Sequence, residues 1–302
     1  MSDCTPEAWQ RTIAEIKNLS ATPVVLAALM HTLSDPRSSA KDVAEIIAAD
    51  PGLTTKLLRV ANSAYYGAKG EVSTPSRAVA LIGYSEVRAV CCVMAVAAML
   101  PSGKPLPHFD RGEFWKHSLA AGLAARLLAE RAGITDPELA FVSGLLHDMG
   151  KLVFQQHANA QFSRALTEAH ERHLELRKAE GIHLGVDHAR LGRWIAQHWQ
   201  LPAPIACAIG RHHDPLPGAQ EFPATAVAHA GNVVALVCGH GSSGEPSVPT
   251  MDDAVRQALR LHNKDQGFLQ QELSAQMARS EELVRVLVEA GGRGATLGLA
   301  AA

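Results

Sequence analysis

The chain is predicted to be all-α, and three observations lead there. Helix-capping residues recur along its length, apolar residues repeat at helical spacing, and strand signals are scarce. Ser39 can cap a helix through Ile47, with Asp42 three residues on as a carboxylate form of the capping box. Asp50-Pro51 reads as an N-cap followed by proline at the first helical position, and Leu57, Leu58, Val60 and Ala61 continue that helix. Ser73-Thr74-Pro75 starts another through Ile82, stopped by Gly83, and Ser85 opens an apolar helix through Leu100. A Pro/Gly-containing break over 101–107 sets a first domain boundary. Helices follow over Phe114 to Arg131, from Thr135-Asp136-Pro137-Glu138 into Leu145-Leu146-His147-Asp148, over Phe162 to Lys178, His188 to His198 and Pro204 to His212. Gly239 to Pro249 is Gly/Ser/Pro-rich and reads as a mobile loop; Asp252 to Leu261 and Gln266 to Ala290 read as a closing helical pair, and 291–302 as a frayed tail. The division expected is 1–106, 107–240 and 241–302.

Composition narrows the function classes. A hydrophobic fraction of 47% over 302 residues permits a sizeable core. Lys plus Arg number 28 against 30 Asp plus Glu, which argues against a dominant nucleic-acid footprint or a polybasic membrane surface. The longest apolar run, Val87 to Leu100, is interrupted by Arg88 and falls short of the ~20 residues that span a bilayer. Met-Ser-Asp-Cys-Thr-Pro-Glu has neither the basic nor the apolar region of a secretory signal. Cys4, Cys91, Cys92, Cys207 and Cys238 form no CxxC pair. The expectation is a reduced, cytoplasmic protein that does not enter the membrane.

Fifteen histidines beside few aromatics invite a search for metal ligands. The sharpest local feature is Gly144-Leu-Leu-His147-Asp148-Met-Gly150-Lys151. Adjacent imidazole and carboxylate donors at a helix end suit iron, manganese or zinc. The plain structural alternative is a polar helix terminus with Gly150 as its C-cap. His117 lies in the preceding long helix, His188 begins a later one, His212 and His213 end the next, and Asn232 follows in an apolar helix. A helical bundle can aim such residues at one point and hold two metals. His170, His173 and His183 flank a charged stretch and read as solvated; His31, His108, His157, His240 and His262 show no partner pattern. His229, one helical turn before Asn232, is a candidate outer contact of the site.

The order His117, His147-Asp148, His188, His212-His213 resembles the ligand order of HD-superfamily phosphohydrolases, closest to the HD-GYP branch, which holds two or three metals, often iron. Within that resemblance Lys151 is a phosphate-facing cation. Asp50-Pro51-Gly52-Leu53-Thr54, then Leu57-Leu58-Arg59-Val60-Ala61-Asn62-Ser63-Ala64, then Ala78-Val79-Ala80-Leu81-Ile82-Gly83, and Trp199-Gln-Leu201-Pro202, are similar to the HDOD signature. The resemblance covers roughly Leu19 to His240. It implies an N-terminal helical subdomain packed on an HD-type helical core, in a bacterial signalling module. Two departures matter. Asn232 stands where the superfamily closes its site with Asp, and Asp214-Pro-Leu-Pro-Gly218 replaces the Gly-Tyr-Pro element of cyclic-di-GMP phosphodiesterases.

Two functional readings stay open. In one, the chain is a non-enzymatic module that binds a signalling protein or a nucleotide second messenger, with Asn62-Ser-Ala-Tyr65-Tyr66-Gly67 as a candidate surface. In the other it is a metal-dependent phosphohydrolase. Both accommodate a di-metal centre of iron or manganese on His117, His147, Asp148, His188, His212, His213 and Asn232. No heptad argues for an oligomer.

Overall fold

The structure is a computed structural model that describes residues 5–16, 28–29, 31–32, 37–62, 66, 70–84, 87, 90–91, 94, 104–280 and 284–285. Among these residues there is no strand, only an isolated bridge between Leu106 and Phe109. No helix among them is long and apolar enough to cross a membrane. The expected helix from Ser85 to Leu100, together with Tyr65, Gly67 and 291–302, falls wholly or mostly outside the described residues.

Helices described before residue 104 include α1 (Pro6–Ile16), α2 (Ala40–Ala48), α3 (Pro51–Ala61) and α4 (Pro75–Ile82). Their starts follow the local side-chain chemistry. Ser39 and Asp42 form a reciprocal capping box. Asp50 accepts from Leu53 N–H at 2.9 Å ahead of Pro51, and Thr74 caps α4. α2, α3 and α4 pack on one another through Val43, Ile47, Leu57, Val60 and Ala78. Asn62 closes the corner, with its amide exchanging two 2.8 Å hydrogen bonds with the Val72 backbone. Tyr66 is half-buried against this core rather than free at the surface. α1 instead docks on the later helices: buried Trp9 donates to Leu184 O at 2.9 Å and sets its ring edge-on to Phe154.

The second set is α5 (Arg111–Ala132), α6 (Pro137–Leu146), α7 (Met149–His157), α8 (Asn159–Arg172), α9 (Leu176–Leu184), α10 (His188–His198), α11 (Ala203–Arg211), α12 (Phe222–Val237), α13 (Asp253–Ala258) and α14 (Gln266–Arg279). α5 is the hub, flanked by α6 and α12, while α11 bridges α10 and α12. α6 and α12 are apolar on nearly every face, and α5 is buried through most of its middle turns, because neighbouring helices cover them. Their alanines and glycines let the backbones approach closely, and Ala121 O lies against both Gly144 and Gly231.

The structure departs from three expectations. Phe162 to Lys178 is not one helix: α8 ends at Arg172, His173 turns left-handed at φ 51°, Leu174 N–H bonds back to Ala169 O, and α9 begins at Leu176. The break has no Gly or Pro to announce it. The loop from Gly239 is fastened rather than loose. Ser242 N–H donates to Glu113 O, His170 Nε2 lies 3.1 Å from Gly244 O, and Ser243 is fully buried. His170 also stacks on His108, and His183 pairs with Glu168 at 2.6 Å, so neither is simply solvated.

Candidate metal centre

The helix pair α6–α7 is broken at His147 and Asp148, which end one helix and begin the next. The corner therefore points both side chains into the bundle. Gly150 does not cap a helix; it lies in the first turn of α7. A Cβ there would collide with the His188 carbonyl, so glycine is what lets α7 and α10 meet at their N-termini.

The structure brings the predicted donors together around the Asp148 carboxylate. Oδ1 lies 3.1 Å from His188 Nε2 and 3.6 Å from His212 Nε2. Oδ2 lies 3.2 Å from His147 Nε2 and 3.9 Å from His117 Nε2. His117 and His147 face each other through Nε2 at 3.4 Å, and His188 and His213 through Nε2 at 2.8 Å. Two overlapping sets result, Asp148-His188-His212-His213 and His117-His147-Asp148, each with donor atoms within 4.8 Å of one another. Asn232, buried on α12 beside His117, leaves its Oδ1 without a hydrogen-bond partner.

The outer nitrogens explain why the inner ones are available. Nδ1 of His147 lies 2.6 Å from Gly144 O, Nδ1 of His212 2.8 Å from Ile209 O, and Nδ1 of His188 2.6 Å from Glu180 Oε2. An Nδ1–H donating to each acceptor leaves Nε2 as the inward ligand atom. His229 steadies this further: its Nδ1 lies 2.7 Å from His212 O, and its Nε2 accepts from Asp252 N–H.

Charge follows the same plan. Burial, reinforced by His147, lowers the His117 pKa to about 3. Burial and neighbouring imidazoles also hold His212 and His213 well below the ordinary histidine value. Burial opposes a charge on His188 as well, but Glu180 outweighs it and raises that pKa to about 10. Asp148 resists the upward push of burial through His147, Lys151 and His188 and stays well below the ordinary carboxylate range. Most of the donors are thus in their ligating form, and a proton on His188 Nε2 sits where a cation can replace it. Buried His212 Nε2 and Asn232 Oδ1 have no hydrogen-bond partner among the described residues. Buried polar atoms are rarely left so unless something else satisfies them. An imidazole, carboxylate and amide-oxygen set of this kind fits a pair of borderline-hard divalent ions.

Lys151 is fully buried one turn into α7. Its Nζ lies 2.9 Å from Asp148 Oδ2, 3.2 Å from Ser243 Oγ and 3.2 Å from Glu245 Oε1. Burial disfavours its charge, yet Asp148, Glu245 and Glu180 outweigh it and raise its pKa. Beside the cluster a cavity of about 330 Å³ is lined by Arg177, His213, Asn232, Glu245 and Val248 among others. Sequence reasoning missed Glu180, Ser243 and Glu245.

Comparison with known proteins agrees with this architecture. The HDOD domain family matches residues 19–215. A Treponema pallidum (strain Nichols) protein without assigned function is 29% identical over 211 residues; the match covers 68% of this chain but only 39% of that protein's length. A solved structure from Marinobacter aquaeolei VT8, provisionally designated a signal transduction protein, superposes with a TM-score of 0.78 at 19% identity, covering 93% of this chain and 66% of that one. Another from Shewanella amazonensis SB2B, provisionally designated a phosphohydrolase, gives 0.68 at 24% identity, covering 91% and 97%. At these identities the two structures speak to the fold alone. With the match spanning most of the described bundle, this chain belongs to the HDOD domain family.

Proposed function

We propose that the chain is a bacterial signal-transduction module built on a buried di-metal centre, with His117, His147, Asp148, His188, His212, His213 and Asn232 as ligands and iron or manganese as the metal. The observation that carries this reading is the Asp148 carboxylate, whose two oxygens face two separate groups of inward nitrogens. Glu180 orients His188, and backbone carbonyls orient His147 and His212. Signalling fits the HDOD family match and the designation of the Marinobacter neighbour. Input then comes from a protein partner or a nucleotide second messenger, with residues 1–106 as the subdomain that carries the response. Residues 107–240 supply the metal-centred core and 241–302 close it.

A second reading, a metal-dependent phosphohydrolase, is favoured by the cavity opening beside the cluster and by the Shewanella neighbour's designation. Bound metals would supply an acidified water as nucleophile. Asn232 in place of a carboxylate and the tethered Lys151 favour binding over turnover.

Elemental analysis of the chain, stripped and reloaded with Fe(II), Mn(II) or Zn(II), tests the central claim. About two equivalents per chain are expected, with strong loss in Asp148→Ala. No retained metal from any of the three would overturn it. Hydrolysis of nucleotide monophosphates or diesters by loaded protein would move the assignment to the second reading.

A further inference from the structure

The residues that follow α12 form a strap across the metal centre. Gly241, at φ +76°, passes so close to α5 that a Cβ would collide with the Glu113 carbonyl and His117 N–H. Beyond it, Glu245 reaches into the bundle. Oε1 lies 3.2 Å from Lys151 Nζ, and Oε2 accepts from Leu176 N–H, the first residue of the nine-residue α9, at 3.3 Å. A buried ammonium beside a helix N-terminus is the donor set of an anion site. Here the chain's own carboxylate fills it. The adjoining cavity holds two further groups. Arg177 lines the same space and pairs with Glu175, which lines it too, and with Asp214, while the buried Asn232 amide lies in the wall.

We propose that Glu245 is a built-in pseudo-ligand: it occupies an anion subsite, formed by Lys151, the Leu176 N–H and Arg177, that takes the phosphate group of a small phosphorylated ligand. Displacing Glu245 then frees the strap. This goes beyond the metal-centre reading by naming the ligand class and the moving part, and it rests on that reading only for the cavity floor. Ligand size follows from the space. About 330 Å³ stands near the lower end of the roughly 300–1,000 Å³ typical of ligand pockets, which suits a phosphomonoester better than a dinucleotide. Val248 and Pro249 give the organic part an apolar wall. Because Glu245 is tethered beside its site, it competes at an effective concentration in the millimolar range, so weak ligands are excluded until it is displaced. Release would alter residues 246–250, next to Asp252, whose N–H donates to His229 and so connects to His212.

Inorganic phosphate is the probe. It is titrated calorimetrically into the full chain, both metal-loaded and metal-stripped, as wild type, Glu245→Gln and Arg177→Gln, with metal content measured for each preparation. Hydrogen exchange across 239–250 is followed in parallel. Glu245→Gln, nearly isosteric and still able to accept from Leu176 N–H, should bind phosphate at least roughly tenfold tighter than wild type. Arg177→Gln should bind several-fold more weakly at unchanged metal content. Phosphate should also speed exchange across the strap in wild type. Equal affinity of wild type and Glu245→Gln overturns the proposal. So does tighter binding with strap exchange unmoved, because loss of a negative charge alone would give that. Failure to load metal counts against the metal-centre reading instead, since Lys151, Leu176 and Arg177 remain in the stripped chain and the comparison between variants still decides this one.

Discussion

At the scale of single residues, Asp148 carries more than any other side chain. Its buried carboxylate faces four imidazoles and the Lys151 ammonium. Without metal it is the first counter-charge of buried Lys151 and supports Glu180 in holding the charge on buried His188. Asp148→Asn keeps the shape but removes the charge, so stripped protein should lose about 3–5 kcal/mol of stability, the range for breaking a buried ion pair. Urea unfolding of the stripped variant measures this, and a loss under 1 kcal/mol would contradict the charge balance described. Glu180→Gln is a milder change. It weakens the hold on His188 Nδ1 without removing a ligand, so metal affinity should fall about 10–100-fold by chelator competition while the fold persists. The two residues also show what the sequence made legible. His147-Asp148 stands out because two donors are adjacent in the chain. Glu180, Ser243 and Glu245 matter only through partners that the fold brings to them, and nothing local marks them.

At the scale of elements, helix starts were the most readable feature because a cap is a contact across three residues. Ser39, Asp50, Thr74 and Asp136 all cap as side chains next to helical runs should. The helix break at His173 was unreadable, since it depends on a left-handed histidine with no Gly or Pro nearby. Gly150 was legible as a special position but for the wrong reason, and the correct one gives a prediction. Gly150→Ala must push α7 away from the His188 carbonyl, at a cost of about 1–3 kcal/mol of the kind seen for overpacked sites. It should weaken metal binding as well, because it separates Asp148 from His188; a variant that loses stability but binds metal normally would break that link. A second element contact responds to pH. Asp265 accepts from His262 N–H and pairs with Arg131 at 2.6 Å, joining the start of α14 to α5, and both contacts hold its pKa below the ordinary carboxylate value. A carboxylate depressed in the folded state contributes stability above its unfolded pKa and loses it as pH falls through the folded one. Wild type should therefore exceed Asp265→Asn in stability at neutral pH, and the gap should close on acidification below the ordinary carboxylate range.

For the whole molecule, the centre ties together segments that are far apart in the chain. His117 comes from α5, His147-Asp148 from the α6–α7 corner, His188 from α10, His212 and His213 from the end of α11, and Asn232 from α12. The strap from 239 closes it, and α1 reaches the same neighbourhood by docking Trp9 on Leu184, the last residue of α9, whose Glu180 holds His188. An unfolded chain cannot hold these donors together, so a metal bound at this centre would favour the folded state. Binding free energy then adds to folding stability, by about 2.7 kcal/mol when free metal is a hundred times its dissociation constant. Loaded protein should thus melt several degrees above stripped protein, and the gap should widen with metal concentration. The gain should vanish in Asp148→Ala and shrink in Glu180→Gln, while Trp9→Ala, which destabilises about 3–5 kcal/mol by emptying a core site, should leave the metal-dependent increment largely intact. Calorimetric melting across a metal series separates these cases. An increment that disappears with Trp9 would mean that α1 shapes the centre itself, and an increment that survives loss of Asp148 would place the bound metal elsewhere in the chain.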